Sequence, residues 1–90
     1  MKIKLNNNPN EIFRIIINEE VYFFEQLWSA NGWWLLNIYD ANKHTIINGI
    51  KIVPNIDLLQ QFAYLNFSLI YISSKPITRN NLNDSYLVIK

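Results

Sequence analysis

The chain has 90 residues, half of them hydrophobic, 14% aromatic and 17% charged, with a formal net charge of +1 and no cysteine. That is the length of a single domain, 1–90, and a chain this size buries about 60–65% of its unfolded surface, enough for one modest core. The balance excludes a disordered tail, a basic field that would draw nucleic acid, a disulfide framework and a thiolate metal site.

The first residues, Met1–Leu5, alternate Lys2 and Lys4 with Ile3 and Leu5. That pattern predicts a short edge strand guarded by lysines. No apolar run of signal-peptide length follows. The longest unbroken apolar runs are about four residues, far from the ~20 that span a bilayer. A soluble chain with no membrane partner is expected. Asn6–Asn10 (NNNPN) reads as a turn, because Asn and Pro both favour one.

Glu11–Asn18 (EIFRIIIN) is rich in Ile and predicts a strand. Phe13, Ile15 and Ile17 share one face of it, and Ile12, Arg14, Ile16 and Asn18 the other. Asn18-Glu19-Glu20 is a polar break. Val21–Trp28 (VYFFEQLW) follows, with Tyr22, Phe24, Gln26 and Trp28 alternating against Val21, Phe23, Glu25 and Leu27. Phe24, Leu27 and Trp28 also fit helical spacing. Aromatic enrichment and the short breaks on either side favour strand.

Ser29-Ala30-Asn31-Gly32 is a hairpin signal, since Asn-Gly supplies two residues tolerant of positive φ. Trp33–Asp40 is the next strand, with Trp34, Leu36 and Ile38 opposite Trp33, Leu35, Asn37 and Tyr39. Asp40-Ala41-Asn42-Lys43 is a second turn, in which Asp40 bonds the backbone two residues on and Asn42 tolerates a left-handed conformation. His44–Val53 returns as a strand, and Gly49 within it predicts a bulge or a close backbone approach. Pro54 ends the ladder by removing a donor. Asn55–Phe62 is the one candidate for a short helical turn. Leu65–Ser73 is strand, Ser74–Asn83 a Pro- and Asn-rich loop, and Ser85–Ile89 a closing strand.

Six or seven short strands joined by turns predict an all-β, mainly antiparallel fold, a small barrel or sandwich with one helical turn near residues 55–62. The strands are apolar on both faces. A sheet with one solvated face alternates apolar with polar. Here Ile12 and Ile16, Tyr22, Phe24 and Trp28, and Trp33, Leu35 and Tyr39 lie opposite further apolar residues. A domain this small cannot bury both sides, so part of that surface is expected to meet another chain. Trp33, Trp34, Tyr39, Tyr22 and Phe24 are the interface candidates. Gly32, Asp40, Gly49, Pro54 and Asp57 are the turn and backbone positions.

Chemistry finds little to work with. His44 is the one histidine and has no nucleophile pattern around it. Glu19 and Glu20 are neighbours and point apart. Asp57, three residues after Pro54, suits a cap or turn better than a metal site. There is no Gly-rich phosphate loop, no metal-ligand spacing and no nucleophile elbow. No enzyme activity, metal or cofactor is expected. The rival to a structural role is an OB-like single-strand binder that stacks bases on Trp28, Trp33, Trp34, Tyr39 or Tyr71. Lys43, Lys51, Lys75 and Arg79 do not interleave with those aromatics, which weighs against nucleic acid.

An ordered set of marks runs along most of the chain, from about Pro9 to Ile89. Two apolar strands are followed by Gly32-x-Trp34-x-Leu36-x-Ile38-x-Asp40, then Ile47-x-Gly49 and Ile52-Val53-Pro54. Asp57-Leu58-Leu59, Phe62, Tyr64-Leu65, Pro76, Leu82 and Tyr86-Leu87 complete it. In this the chain resembles the phage baseplate plug family, small tail proteins of contractile-tailed bacteriophages. Val-Pro followed by Asp-Leu-Leu is the most distinctive stretch. The Asp40 turn departs from the family in carrying Asn42-Lys43 where Gly is expected. The resemblance implies a structural protein of the virion, made in the host cytoplasm. It would sit at the centre of the baseplate, against the hub and the end of the tail tube, as an oligomer or hetero-assembly. It marks no catalytic residues.

Overall fold

Among the described residues, the β-branched and aromatic runs of the sequence become seven strands in two antiparallel sheets. The computed structural model describes residues 1–62 and 64–90. The strands are β1 (Lys2–Lys4), β2 (Glu11–Ile17), β3 (Glu20–Trp28), β4 (Trp34–Tyr39), β5 (Thr45–Lys51), β6 (Leu69–Ile72) and β7 (Tyr86–Ile89). One sheet has the order β2-β3-β4-β5 and the other β1-β7-β6. Among the described residues neither sheet closes on itself, so the expected barrel is not formed. The chain divides into two compact units, Asn8–Lys51 and Met1–Asn7 with Ile52–Lys90.

Asn8–Lys51 is a meander of hairpins, each turned by a different piece of local chemistry. Asn18 and Glu19 both take positive φ (52° and 70°), and Ile17 pairs with Glu20 across them. That is a two-residue turn of the twist a hairpin needs, placed where the sequence offered only a polar break. The Asn31-Gly32 signal resolves differently. Gly32 alone is left-handed (φ 93°). Ser29 N–H donates to Trp33 O (2.8 Å) and Gly32 N–H to Ser29 O (3.0 Å). The loop is thus three residues long, with its left-handed position last.

The β4–β5 turn repeats that loop. Asp40 N–H donates to His44 O (2.9 Å) and Lys43 N–H to Asp40 O (2.9 Å), and Lys43 is the left-handed residue (φ 63°) in place of Asn42. In both loops the leading side chain holds the tip. Ser29 Oγ accepts from Asn31 N–H (3.1 Å), and Asp40 Oδ1 from Asn42 N–H (2.9 Å) and His44 N–H (2.8 Å).

Cross-strand register puts Ile15, Ile17, Tyr22, Phe24, Trp34, Leu36, Ile38 and Ile47 on one face of the four-stranded sheet, and all are buried. Trp28 meets Trp34 edge to face at 5.3 Å. Gln26, wholly buried among them, donates from Nε2 to Asn8 O (2.9 Å).

In the second unit β7 is the central strand, between β1 and β6. Leu5, Ile52, Leu58, Leu59, Phe67, Leu69, Tyr71, Leu82, Leu87 and Ile89 are its buried residues. Tyr71 solves its polar end by donating to Leu82 O (2.8 Å). The helical turn expected near 55–62 is replaced by separate turns, with Gln60 N–H on Asp57 O and Phe62 N–H on Leu59 O. Asp57 is the reason. Its Oδ1 accepts from Leu59 N–H (3.0 Å) and Leu69 N–H (3.2 Å), which ties the segment to β6. Among the described residues, the helical element is a single 3₁₀ turn at Leu82–Asp84.

Candidate docking surface

Alternation that buries one face of β2–β5 must turn the other set of side chains away from it. That second face carries Ile12, Arg14 and Ile16 from β2. It continues through Val21, Phe23, Glu25 and Leu27 of β3, and Leu35, Asn37 and Tyr39 of β4. Ile12 is 54% exposed and Ile16 49%. Arg14 is exposed, and Val21, Phe23, Leu27, Leu35 and Tyr39 are half-buried. This is an open apolar sheet face, of the kind that marks an interaction surface.

A polar island crosses it. Tyr39 donates its hydroxyl to Glu25 Oε1 (2.7 Å), and Asn37 Nδ2 donates to the same oxygen (3.1 Å). Asn37 Oδ1 accepts from Gly49 N–H (2.7 Å). That last bond explains the break in the β4–β5 ladder. The register shifts between Leu36 and Ile38, so two residues of β5 oppose one of β4. Gly49 supplies the positive φ of 79° that the bulge needs, and Asn37 satisfies the N–H it releases. The bond to Glu25, and then partial burial, raise the Tyr39 pKa above its ordinary value.

The rim of the face is cationic and its cations lie on aromatic rings. Lys43 Nζ stands 5.2 Å from the centroid of Phe23, and Lys51 Nζ 4.5 Å from that of Trp33. Such cations keep their charge in water while their stems cover apolar surface.

The aromatic candidates from the sequence divide between the two faces. Trp33 and Tyr39 are half-buried and on the open side. Trp34 and Phe24 have no exposed surface and Tyr22 only 6%, so these three form the core beneath it. Of the proposed base-stacking residues, Trp34 and Tyr71 are likewise buried. Gly32 and Asp40 sit in the three-residue loops, and Gly49 in the bulge. Pro54 forms an isolated bridge with Tyr71 and Asp57 one with Ile70, both beside β6. Arg14, Glu25 and Asn37 belong to no motif in the sequence. Their signal is positional: polar residues inside apolar strands come together only when the cross-strand register is known.

Elsewhere the chemistry is sparse. His44 is 79% exposed at its side chain and 3.7 Å from Asp40, whose other oxygen holds the turn. Among the described residues no three His, Cys, Asp or Glu side chains gather as a metal site would require. None of the helices there is long and apolar enough to cross a membrane. A polar cleft beside β7 is lined by Lys4, Ser73, Lys75 and Asp84.

Compared with known proteins, the chain matches the family model described as cyanophage baseplate Pam3 plug gp18, over residues 1–89. No curated protein matches it.

Proposed function

The chain belongs to the cyanophage baseplate plug family, and from that premise we propose that it is a structural part of the phage tail that acts through contacts with the hub and the end of the tail tube. The observation that carries this reading is a family match running from residue 1 to residue 89. The open apolar face of β2–β5 supports it, because contact surfaces of this kind work by shape and desolvation, with no reaction to perform. Its mechanism is geometric: the protein closes or bridges the central channel by docking to neighbouring tail subunits, as an oligomer or in a hetero-assembly. Residues 1–90 act together as one plug domain. Trp33 and Tyr39 are the aromatic contact residues, since aromatic anchors dominate interface energetics. Trp34, Phe24 and Tyr22 hold the sheet rigid behind them. No catalytic step and no cofactor belong to this role.

Purified tails provide the test. Mass spectrometry of isolated baseplates should find this chain with the hub proteins. Trp33→Ala should lower its occupancy there while the free protein stays folded. Intact, fully assembled tails that lack the chain would refute the assignment.

A further inference from the structure

Each sheet of this protein ends in two edges, and edges with unpaired backbone groups recruit other strands unless something stops them. Three of the four are stopped. β1 is three residues long with Lys2 and Lys4 exposed along it. β6 is flanked by Pro54 and Asp57, with Asn55 N–H on Tyr71 O (2.8 Å) and Leu58 N–H on Leu69 O (2.7 Å). β5 is broken by the Gly49 bulge and a second register shift. The fourth edge, β2, is neither short, covered nor broken, and its one exposed charge is Arg14 at its centre. It is seven residues long, contains no proline, and pairs with β3 in unbroken register from Glu11 to Ile17. Among the described residues, no other strand or bridge lies along its outer side.

The geometry of that edge can be worked out from the turn. A two-residue hairpin turn makes its flanking pair, Ile17 and Glu20, a hydrogen-bonded one. Alternation then assigns Ile15, Phe13 and Glu11 to β3. The N–H and C=O groups of Ile12, Arg14 and Ile16 are left pointing outward. The side chains of those same three residues are the exposed ones of the strand.

We propose that the outer edge of β2 takes an added antiparallel strand from another protein, carrying an acidic residue opposite Arg14 and an apolar residue two positions to either side. The alternative occupant, a second copy of this chain, is disfavoured by Arg14 itself. In the register that uses all three outward residues, Ile12 faces Ile16 across the two-fold axis and Arg14 faces Arg14. Like charges directly opposite destabilise a strand pair. Sliding by two residues removes the clash and also removes one of the outward residues from pairing. Arg14 therefore repels self-association and rewards an acid, a double use of one charge for specificity. The backbone bonds supply affinity and the flanking Ile12 and Ile16 supply the apolar contacts, as in strand addition generally. This rests on the baseplate reading for the kind of partner, a neighbouring tail protein, and on the β2 geometry for everything else.

Synthetic peptides test it without a virion. The probe is the capped heptapeptide Thr-Val-Thr-Glu-Thr-Val-Thr, with a second peptide in which Lys replaces Glu. Titrated into the full chain, the Glu peptide should move the amide resonances of Ile12, Arg14 and Ile16. It should bind about two- to fivefold tighter than the Lys peptide, the discrimination one cross-strand charge pair gives. Arg14→Glu should reverse that order, and Arg14→Lys should keep it. Equal binding of the two peptides, shifts confined to other residues, no binding at millimolar peptide, or a wild-type dimer joined through β2 would overturn the proposal. None of those results bears on whether the chain is found in tails, so the two ideas fail separately.

Discussion

Tyr39, Asn37 and Glu25 show how a few polar atoms are kept on an otherwise apolar face. Glu25 Oε1 receives two donors and Asn37 Oδ1 receives a backbone N–H, so these two oxygens are both satisfied. Tyr39 also gives the fold an alkaline limit. Its pKa is raised by the bond to Glu25 and then by burial. Burial, then Glu20, raises Tyr22, and burial, then Asp84, raises Tyr71. A raised pKa means the folded state holds the phenolic proton more tightly than the unfolded chain. The associated stability is complete below the unfolded value of 10.0 and is lost as pH rises through the folded values. Urea midpoints should fall above about pH 10. Tyr39→Phe should flatten that fall while costing about 1 kcal/mol at neutral pH, where Glu25 loses a donor.

At the scale of the strand, the two faces of β2–β5 make opposite predictions. Phe24 is wholly buried and paired with Phe13 at a ring separation of 6.0 Å. Phe24→Ala should cost about 3–5 kcal/mol. Ile12 lies one face over and is 54% exposed, so Ile12→Ala should stay within about 0.5 kcal/mol. Denaturant titration of the two variants measures both, and a large loss at Ile12 would mean that the open face is part of the core. Alternation in the sequence told which residues share a face, because the period of two is fixed by the backbone. It could not tell which face is buried, since both are apolar. Trp33 and Trp34 are adjacent and chemically identical, yet only Trp34 is covered. Turn chemistry was legible only in part. Gly32 revealed its loop because glycine favours positive φ, whereas Glu19 and Lys43 adopt positive φ with side chains that give little sign of it. The helical pattern at 55–62 was overridden by Asp57, whose oxygen is used by two backbone donors that no local pattern reveals.

At the scale of the molecule, the all-β class followed from strand-like runs and turns. The division into two sheets did not, because it depends on a pairing between the ends of the chain. β1 lies beside β7, with Lys2 opposite Val88 and Lys4 opposite Tyr86. Met1 and Ile89 exchange hydrogen bonds next to them. This pairing sets an order of events during synthesis. The hairpins of residues 8–51 need only near neighbours and can form as they leave the ribosome. Contacts between distant segments come later, because closing the long loop costs entropy before any bond repays it. Pulse-labelled exchange on the refolding chain should show amides of 11–51 protected before those of 86–89, and simultaneous protection would contradict it. β1 is thus held open until β7 has emerged. β7, the middle strand of its sheet, comes last. A ribosome that stalls before Tyr86 leaves a meander whose companion sheet has lost its centre.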